Sequence, residues 1–589
     1  MDRLAREKTG SETKEIPETS QPAWFIPLLV LLLVFIMAAR TPLDSDMWWH
    51  LRAGEATLQA GSPVLVDAFS TTRAGATWIN HSWLAQAGMS LTHRLGGTIG
   101  LAALVASLAA LSLGLVYLQM EGPPILRAFI LVMAAAVAAP VWSPRPQLAS
   151  LVLFGAVGYL LYLYKYRRKD RLWLLAPLFV LWSNLHGGYV LGLLLVGAMA
   201  AGETLNHLLG FGGQEVLSWK RILRLVAWGV AGALLVLINP NGLGMWAIPF
   251  QTLNVGALQS SIPEWASPDF HQISQQPFLW LLMAILGTAG ASKRRMDGSD
   301  LVGVALFARL SFMARRNFGP FAMLAAPVLA RQLAPLLHER WYEFALSIRR
   351  IFGNGLDHSV LSRPIPLKTA RVINLTILSL LAIAAVGKLS LVARPEFVEQ
   401  ASRDLYPVGA IGWLGENHPS GPIFNAYDWG GYLLWMLDEY PVFVDGRTDL
   451  FGGELLHSYM RAAAGQAGWE AVLSRYTINL VLMQASSGLV KKLEREPDWV
   501  KAYSDSMAVV FVRRQSMHSR ETFDALSGFD LSQERARTGR WVSQGSRPDE
   551  GIGLYEVRGI DNISRREVID LIGDTTDPVG RPGGRWMAN

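Results

Sequence analysis

Cysteine is absent from this 589-residue chain. That excludes disulfides, thiolate metal sites, thiol nucleophiles and lipidated cysteines, and leaves the side of any membrane open. Charge is also scarce: Asp, Glu, Lys and Arg make up 17% of the residues, against about a quarter in an average soluble domain. No heptad persists, no internal repeat is visible, and low complexity is confined to a polar N-terminal tail. Coiled-coil, fibrous and disordered classes are thereby excluded.

What is abundant is apolar: 51% of the residues, with a mean hydropathy of +0.26. These residues sit in blocks. The first, Pro22–Ala39, is uncharged and long enough to cross about 30 Å of hydrocarbon. A signal peptide cleaved after Ala38-Ala39 is the competing reading, but many further blocks follow. They lie near 97–118, 125–142, 147–164, 172–184, 189–208, 222–238, 277–291, 300–314, 318–334 and 372–392. The pattern predicts a cytoplasmic polar tail (1–21), an α-helical polytopic membrane domain of about 11 spans (22–393), and a soluble α/β domain (394–589). The β-type runs GPIF, PVFVD, INLVLM and AVVFVRR carry the last assignment.

The net charge of +6 would point to nucleic acid in a soluble protein. Here it marks topology, because Lys and Arg collect in cytoplasmic loops, and no nucleic-acid partner is expected. With the N-terminus inside, Lys165–Arg171, Trp219-Lys220-Arg221, Lys293-Arg294-Arg295 and the basic residues between Arg340 and Arg371 all fall on the inner side. Pro335–Phe352 has helical apolar spacing and reads as a helix lying along the membrane surface. The loops 40–96 and 238–276 and the C-terminal domain are then extracytoplasmic, and the chain is a multi-pass protein among membrane lipids.

The chemistry-bearing residues collect on that outer side. The segment LDSDMWWHLRAGE places Asp44, Asp46, His50, Arg52 and Glu55 beside Trp48 and Trp49. Carboxylates there suit a general base or a divalent cation, and the arginine suits a phosphate. An aromatic belt with solvated charges is the structural alternative. The same loop holds Asp67, Asn80 and His81; SNLHGGYVLG adds His186, whose glycines also suit a plain turn. His50, His81 and His186 are of the type that shares a metal, without a spacing that demands one. Glu264 and Asp269 stand in the second outer loop. Arg145, Arg315 and Arg316 oppose the positive-inside trend, and Arg309 falls within a span, where charge is usually functional. On a continuous helix Arg309 and Arg316 share a face, and a phosphate-bearing ligand accounts for them; an inverted topology would put them inside. In the C-terminal domain, Tyr427, Asp428 and Trp429 form a turn, and Asp445, Arg447 and Asp449 follow an apparent strand as site residues or as an Asp–Arg–Asp cluster capping the next helix.

The D-x-W-W-H-x-R segment resembles the first-loop motif of oligosaccharyltransferase catalytic subunits, and Y-D-W-G-G-Y resembles their W-W-D-Y-G motif. The layout is similar to that of the C-type glycosyltransferase superfamily (GT-C), including uncharacterised bacterial members with WWHLRxGE, NLHGG and VDGRTDLFG segments. The resemblance implies an inverting transferase in the cell envelope, at the outer face of a bacterial plasma membrane. It would take a sugar or oligosaccharide from a polyprenyl-phosphate-type lipid donor to a glycan, lipid or protein acceptor. It implies Asp46, with Asp44, as catalytic residues and Arg316 or Arg315 as the donor-phosphate contact, with Arg52 and Arg309 as further candidates. A divalent cation (Mg or Mn) would be held by Asp46, Glu264 and Asp269. His50, His81, His186, Tyr427, Asp428, Trp429, Asp445 and Arg447 would belong to an acceptor or structural site. Two departures stand out: the loop expected to carry a second acidic motif reads VWSPRPQ, with Arg145 and no acid, and the tail motif is reordered. A transporter or flippase, or a non-catalytic assembly protein that binds glycans, are the alternatives; a flippase would show inverted repeats and midplane charges.

Overall fold

The computed structural model describes residues 22, 24–211, 215–254, 262–292, 295–352 and 367–516. The polar tail 1–21 and the end of the C-terminal domain, 517–589, lie outside the described residues. Each apolar block forms a helix, the conformation that satisfies backbone polar groups within the segment when no water is available. The order is α1 Phe25–Ala38, α2 Met47–Ala60, α3 Trp83–Tyr117, α4 Pro124–Ala138, α5 Gln147–Lys165, α6 Leu175–Leu185, α7 Tyr189–Leu209, α8 Trp219–Leu235, α9 Gly244–Asn254, α10 Gln276–Ala291, α11 Gly298–Met313, α12 Phe318–Phe352 and α13 Leu367–Val392. Among the described residues six helices are long and apolar enough to cross a membrane; α1 and the 172–185 stretch are shorter apolar helices.

Small residues let these helices approach closely. Gly202 of α7 lies against Gly298 and Ser299 at the start of α11, and Gly232 of α8 lies under the Phe179 ring; in both places a Cβ would fall within 2.4 Å of its neighbour. Beyond the glycine contact, a buried polar cluster ties one end of the bundle. Lys165 is fully buried and pairs with Glu203 and with Asp297 (2.5 Å), while Arg331 pairs with Asp300 (2.6 Å). These pairs join α5, α7, α11 and α12.

Two helical details depart from expectation. The first loop is itself largely helical: α2 lies within it, and α3 begins at Trp83 and turns at Gly97, whose φ of 54° suits glycine. The stretch Pro335–Phe352 continues α12 and does not form a separate helix.

After α13 come α14 Pro395–Leu405, α15 Val408–Asn417, α16 Gly430–Met436, α17 Thr448–Ala463, α18 Trp469–Arg475 and α19 Gly488–Leu493. They surround a four-stranded sheet of β1 Ile423–Asn425, β2 Leu480–Gln484, β3 Trp499–Ser504 and β4 Ala508–Arg513, ordered β1-β2-β4-β3. Strands β1 and β2 are parallel and the other pairings antiparallel. The α/β expectation agrees with this, except at PVFVD, which is not a strand of the sheet. Its residues Val442, Phe443 and Val444 are fully buried, yet the segment pairs with the first loop. Val442 N–H donates to Phe69 O (3.1 Å), and Val442 O accepts from Thr71 N–H (2.9 Å).

That seam carries a buried ion cluster. Arg447 is 1% exposed and donates to Asp67 (2.5 Å) and Asp445 (2.6 Å), with the Trp78 ring 5.0 Å away. Burial opposes its charge, but Asp445 and Asp67 outweigh burial and hold its pKa above the usual arginine range. The Asp–Arg–Asp cluster foreseen from 445–449 therefore exists with Asp67 in place of Asp449. Arg447→Met would leave two buried carboxylates unpaired and is expected to destabilise the seam by about 3–5 kcal/mol. Thermal unfolding of the full chain checks this; an unchanged midpoint would rule out the pair as the fastener.

Candidate active site

At the end of the bundle remote from Lys165, the turns after α1, α4, α6 and α11 meet the C-terminal domain around a cavity of about 460 Å³. Its acidic wall starts at Asp46. Asp44 accepts the Asp46 N–H (2.9 Å), so the chain turns tightly into α2 with Asp46 at the N-cap position. The Asp46 carboxylate makes no capping bond, and faces the cavity instead. There Arg145 reaches three acids: Asp44 (2.5 Å), Asp46 (3.0 Å) and Glu264 (2.9 Å). Arg145 stands in the S-P-R-P turn between α4 and α5, where flanking prolines fix the backbone. Glu264 comes from a short 3₁₀ turn, Pro263–Trp265.

One guanidinium cannot fully neutralise three carboxylates. Burial first, then Asp44 and Glu264, raise the pKa of Asp46 to about 7, partly offset by Arg145. The Asp46 side chain still keeps 21% exposure, so one face of the acid is open to the cavity. Arg145 is pushed the other way. Burial opposes its charge, and Asp46, Asp44 and Glu264 together hold it well above the usual arginine range.

The rest of the lining is rich in donors. Arg316 lies in a 3₁₀ turn between α11 and α12, with its guanidinium 4.3 Å over the Trp265 ring. Among the described residues no carboxylate is within ion-pair distance of it. His81 and His186 stand beside each other, ring centroids 5.6 Å apart. Each Nδ1 accepts a backbone N–H, from Gly187 (3.3 Å) and Gly188 (3.1 Å) respectively, so the neutral rings carry their proton on Nε2. Burial lowers the pKa of His50, His81 and His186, keeping all three uncharged near pH 7. The glycines of H-G-G permit this approach: a Cβ on Gly188 would lie 2.5 Å from Ser150 Oγ.

The C-terminal domain closes the cavity with Tyr427, Asp428, Gly446, Thr448 and Asp449. Its glycines set the fit. A Cβ on Gly446 would lie 1.9 Å from Asp46 Oδ1, and one on Gly431 would lie 2.7 Å from Ser45 O. The motifs Y-D-W-G-G and V-D-G-R are thus the surface on which the acidic turn rests. The tryptophans are part of this packing and not of a membrane belt: Trp48 meets Tyr432 at 5.2 Å and Trp49 meets Trp78 at 6.1 Å.

Of the residues foreseen from sequence, Asp46, His50, His81, His186, Glu264, Arg316, Tyr427 and Asp428 line one cavity, and Asp44 braces it through Arg145. Others do not line it. Arg52 pairs with Glu55 and Asp438. Arg309 is exposed on α11, because α11 ends at Met313 and extended Ala314 breaks the helical phase that would have aligned it with Arg316. Arg315 donates its backbone N–H to Ala266 (3.2 Å). Trp429 is buried in the domain core, and Asp445 and Arg447 belong to the seam. Asp269 pairs with His271 at the surface. The cation arrangement foreseen for Asp46, Glu264 and Asp269 does not fit: Asp269 is elsewhere, and Arg145 nitrogens fill the space between the other two. Among the described residues, no three His, Asp or Glu side chains are grouped to hold a metal ion. Asp449, foreseen with Asp445 and Arg447 after the apparent strand, also lines the cavity, whereas Thr448 and Trp265 were not foreseen as site residues. Arg145 was flagged only by its position against the charge trend, the signal that also marked Arg316.

No protein-family model matches the chain, and no curated protein matches it. Among solved structures it is similar to the archaeal oligosaccharyltransferase AglB from Archaeoglobus fulgidus, in a complex with an inhibitory peptide and a dolichol-phosphate. The identity is 13% and the TM-score 0.48, over 78% of this chain and 69% of that one. The apo form of the same archaeal enzyme gives the same values, and its complex with Zn and sulfate gives 14% and 0.45 over 78% and 68%.

Proposed function

We propose that this chain is a multi-pass membrane glycosyltransferase of the GT-C type. It transfers a sugar or oligosaccharide, with inversion, from a polyprenyl-phosphate-type lipid donor to an acceptor at the outer face of a bacterial plasma membrane. The N-terminus is cytoplasmic, the chain crosses eleven times, and the C-terminal domain is extracytoplasmic. The observation that carries this reading is one cavity at the end of a helix bundle that brings together a half-buried acid, Asp46, and an arginine, Arg316, with no carboxylate within ion-pair distance among the described residues. The D-x-W-W-H-x-R motif supplies the acid at that spot.

The acid and the donors divide the chemistry. Asp46 accepts the proton of an acceptor hydroxyl as its oxygen attacks the anomeric carbon and the bond to the donor phosphate breaks. Negative charge grows on the departing phosphate, and Arg316 with the Nε2–H groups of His81 and His186 is suited to bind it. Neutral histidines serve here because they donate without drawing a proton from the site. Burial raises the pKa of Asp428, partly offset by Arg145, and its carboxylate stands in the same cavity as a polar contact for the acceptor.

Asp46→Asn is expected to lower sugar transfer from a polyprenyl-phosphate-linked donor on the order of 10²–10⁴-fold with the folded chain intact; wild-type turnover would sink the assignment. Gly446→Ala, which forces Asp46 out of place, is expected to do the same through a residue that carries no reacting group.

The pH dependence has a definite sign. Asp46 works as the carboxylate, so transfer rises through about pH 7 and falls roughly tenfold per pH unit below it. The stability linkage runs oppositely: the raised pKa contributes stability below the ordinary value of 3.8, and this is lost as pH rises through about 7. A transfer rate flat from about pH 5 to 8 would remove Asp46 as the base.

A further inference from the structure

The acidic wall converges on a side chain. Arg145 Nε lies 2.5 Å from Asp44, and its Nη1 lies 3.0 Å from Asp46 and 2.9 Å from Glu264. Acids that meet at a point outside a strongly charged partner repel one another, and one route to hold them is a hard divalent cation with oxygen ligands at about 2.0–2.6 Å. The guanidinium occupies that point. Its nitrogens contact the carboxylate oxygens that an ion would otherwise take, and Pro144 and Pro146 on either side restrict the backbone that carries it. Its planar fork offers several donors in fixed directions to the carboxylates.

We propose that Arg145 is the resident cation of this site: it gathers Asp44, Asp46 and Glu264 and balances their charge, the task a bound divalent metal would otherwise perform. The functional sense of this rests on the transferase reading; the geometry does not. Arg145 acts through the acids it pairs with, so it is a positioning residue. Its removal leaves three acids around a hole of guanidinium size, an oxygen-lined pocket suited to a hard cation.

The test is a Mn²⁺ titration of the full-length chain in detergent, read by electron paramagnetic resonance with no sugar donor present. Wild type is expected to bind no Mn²⁺ more tightly than about 1 mM. Arg145→Ala is expected to gain one bound Mn²⁺ at least about tenfold tighter, lost again when Asp46→Asn is added to the same chain. Arg145→Lys, which restores a point charge, is expected to stay free of Mn²⁺. Stoichiometric Mn²⁺ on wild type that Asp46→Asn removes overturns the proposal, as does a folded Arg145→Ala chain that binds none. If Arg145→Ala fails to fold, the wild-type titration decides alone. A failed transfer assay leaves the titration result standing, and Mn²⁺ on wild type leaves the transferase reading standing.

Discussion

Arg447 is the fastener on which the site depends. Its guanidinium is buried between Asp67 of the first loop and Asp445 of the C-terminal domain, and among the described residues it is the ion-pair partner of both acids. Through this contact the extended segment 441–445 is held against residues 69–72, and Gly446 is delivered beneath Asp46. The pair costs desolvation, and its worth lies less in net stability than in permitting one register. A slip of the seam by one residue would turn a side chain into the space that Gly446 leaves open.

Around this fixed point the cavity gathers acids and donors. Three acids share Arg145, which leaves a surplus of negative charge and a reluctant proton on Asp46. Arg316 rests on Trp265 among neutral histidines. Unit charges 4 Å apart interact by about 4 kcal/mol at an effective dielectric near 20, against about 1 kcal/mol in bulk water. The glycine contacts and the ion cluster of Lys165, Glu203 and Asp297 at the far end hold the helices whose turns carry these groups.

The helices were legible because apolar runs report their own length and spacing. The candidate acids and Arg316 were legible because charge beside a span is rare enough to stand out. What the sequence concealed is non-local. PVFVD alternates and buries like a strand, and only its pairing with Phe69 and Thr71 separates it from the sheet. Arg309 and Arg316 share a helical phase on paper, and a single extended residue, Ala314, breaks it. Trp48 and Trp49 resemble a membrane belt until Tyr432 and Trp78 are set beside them. The role of Arg145 needed Asp44 and Glu264, 101 and 119 residues away, to be placed around it.

That distance along the chain sets an order of construction. Translation proceeds at roughly 5–20 residues per second, and the partner of Asp67 is 380 residues downstream. For about 20–80 s after the first loop leaves the ribosome, its acids have Arg145 for company but no floor beneath Asp46. The acidic turn is thus made early and floored late, so a chain released early carries the acids of the cavity without the segment that packs beneath them.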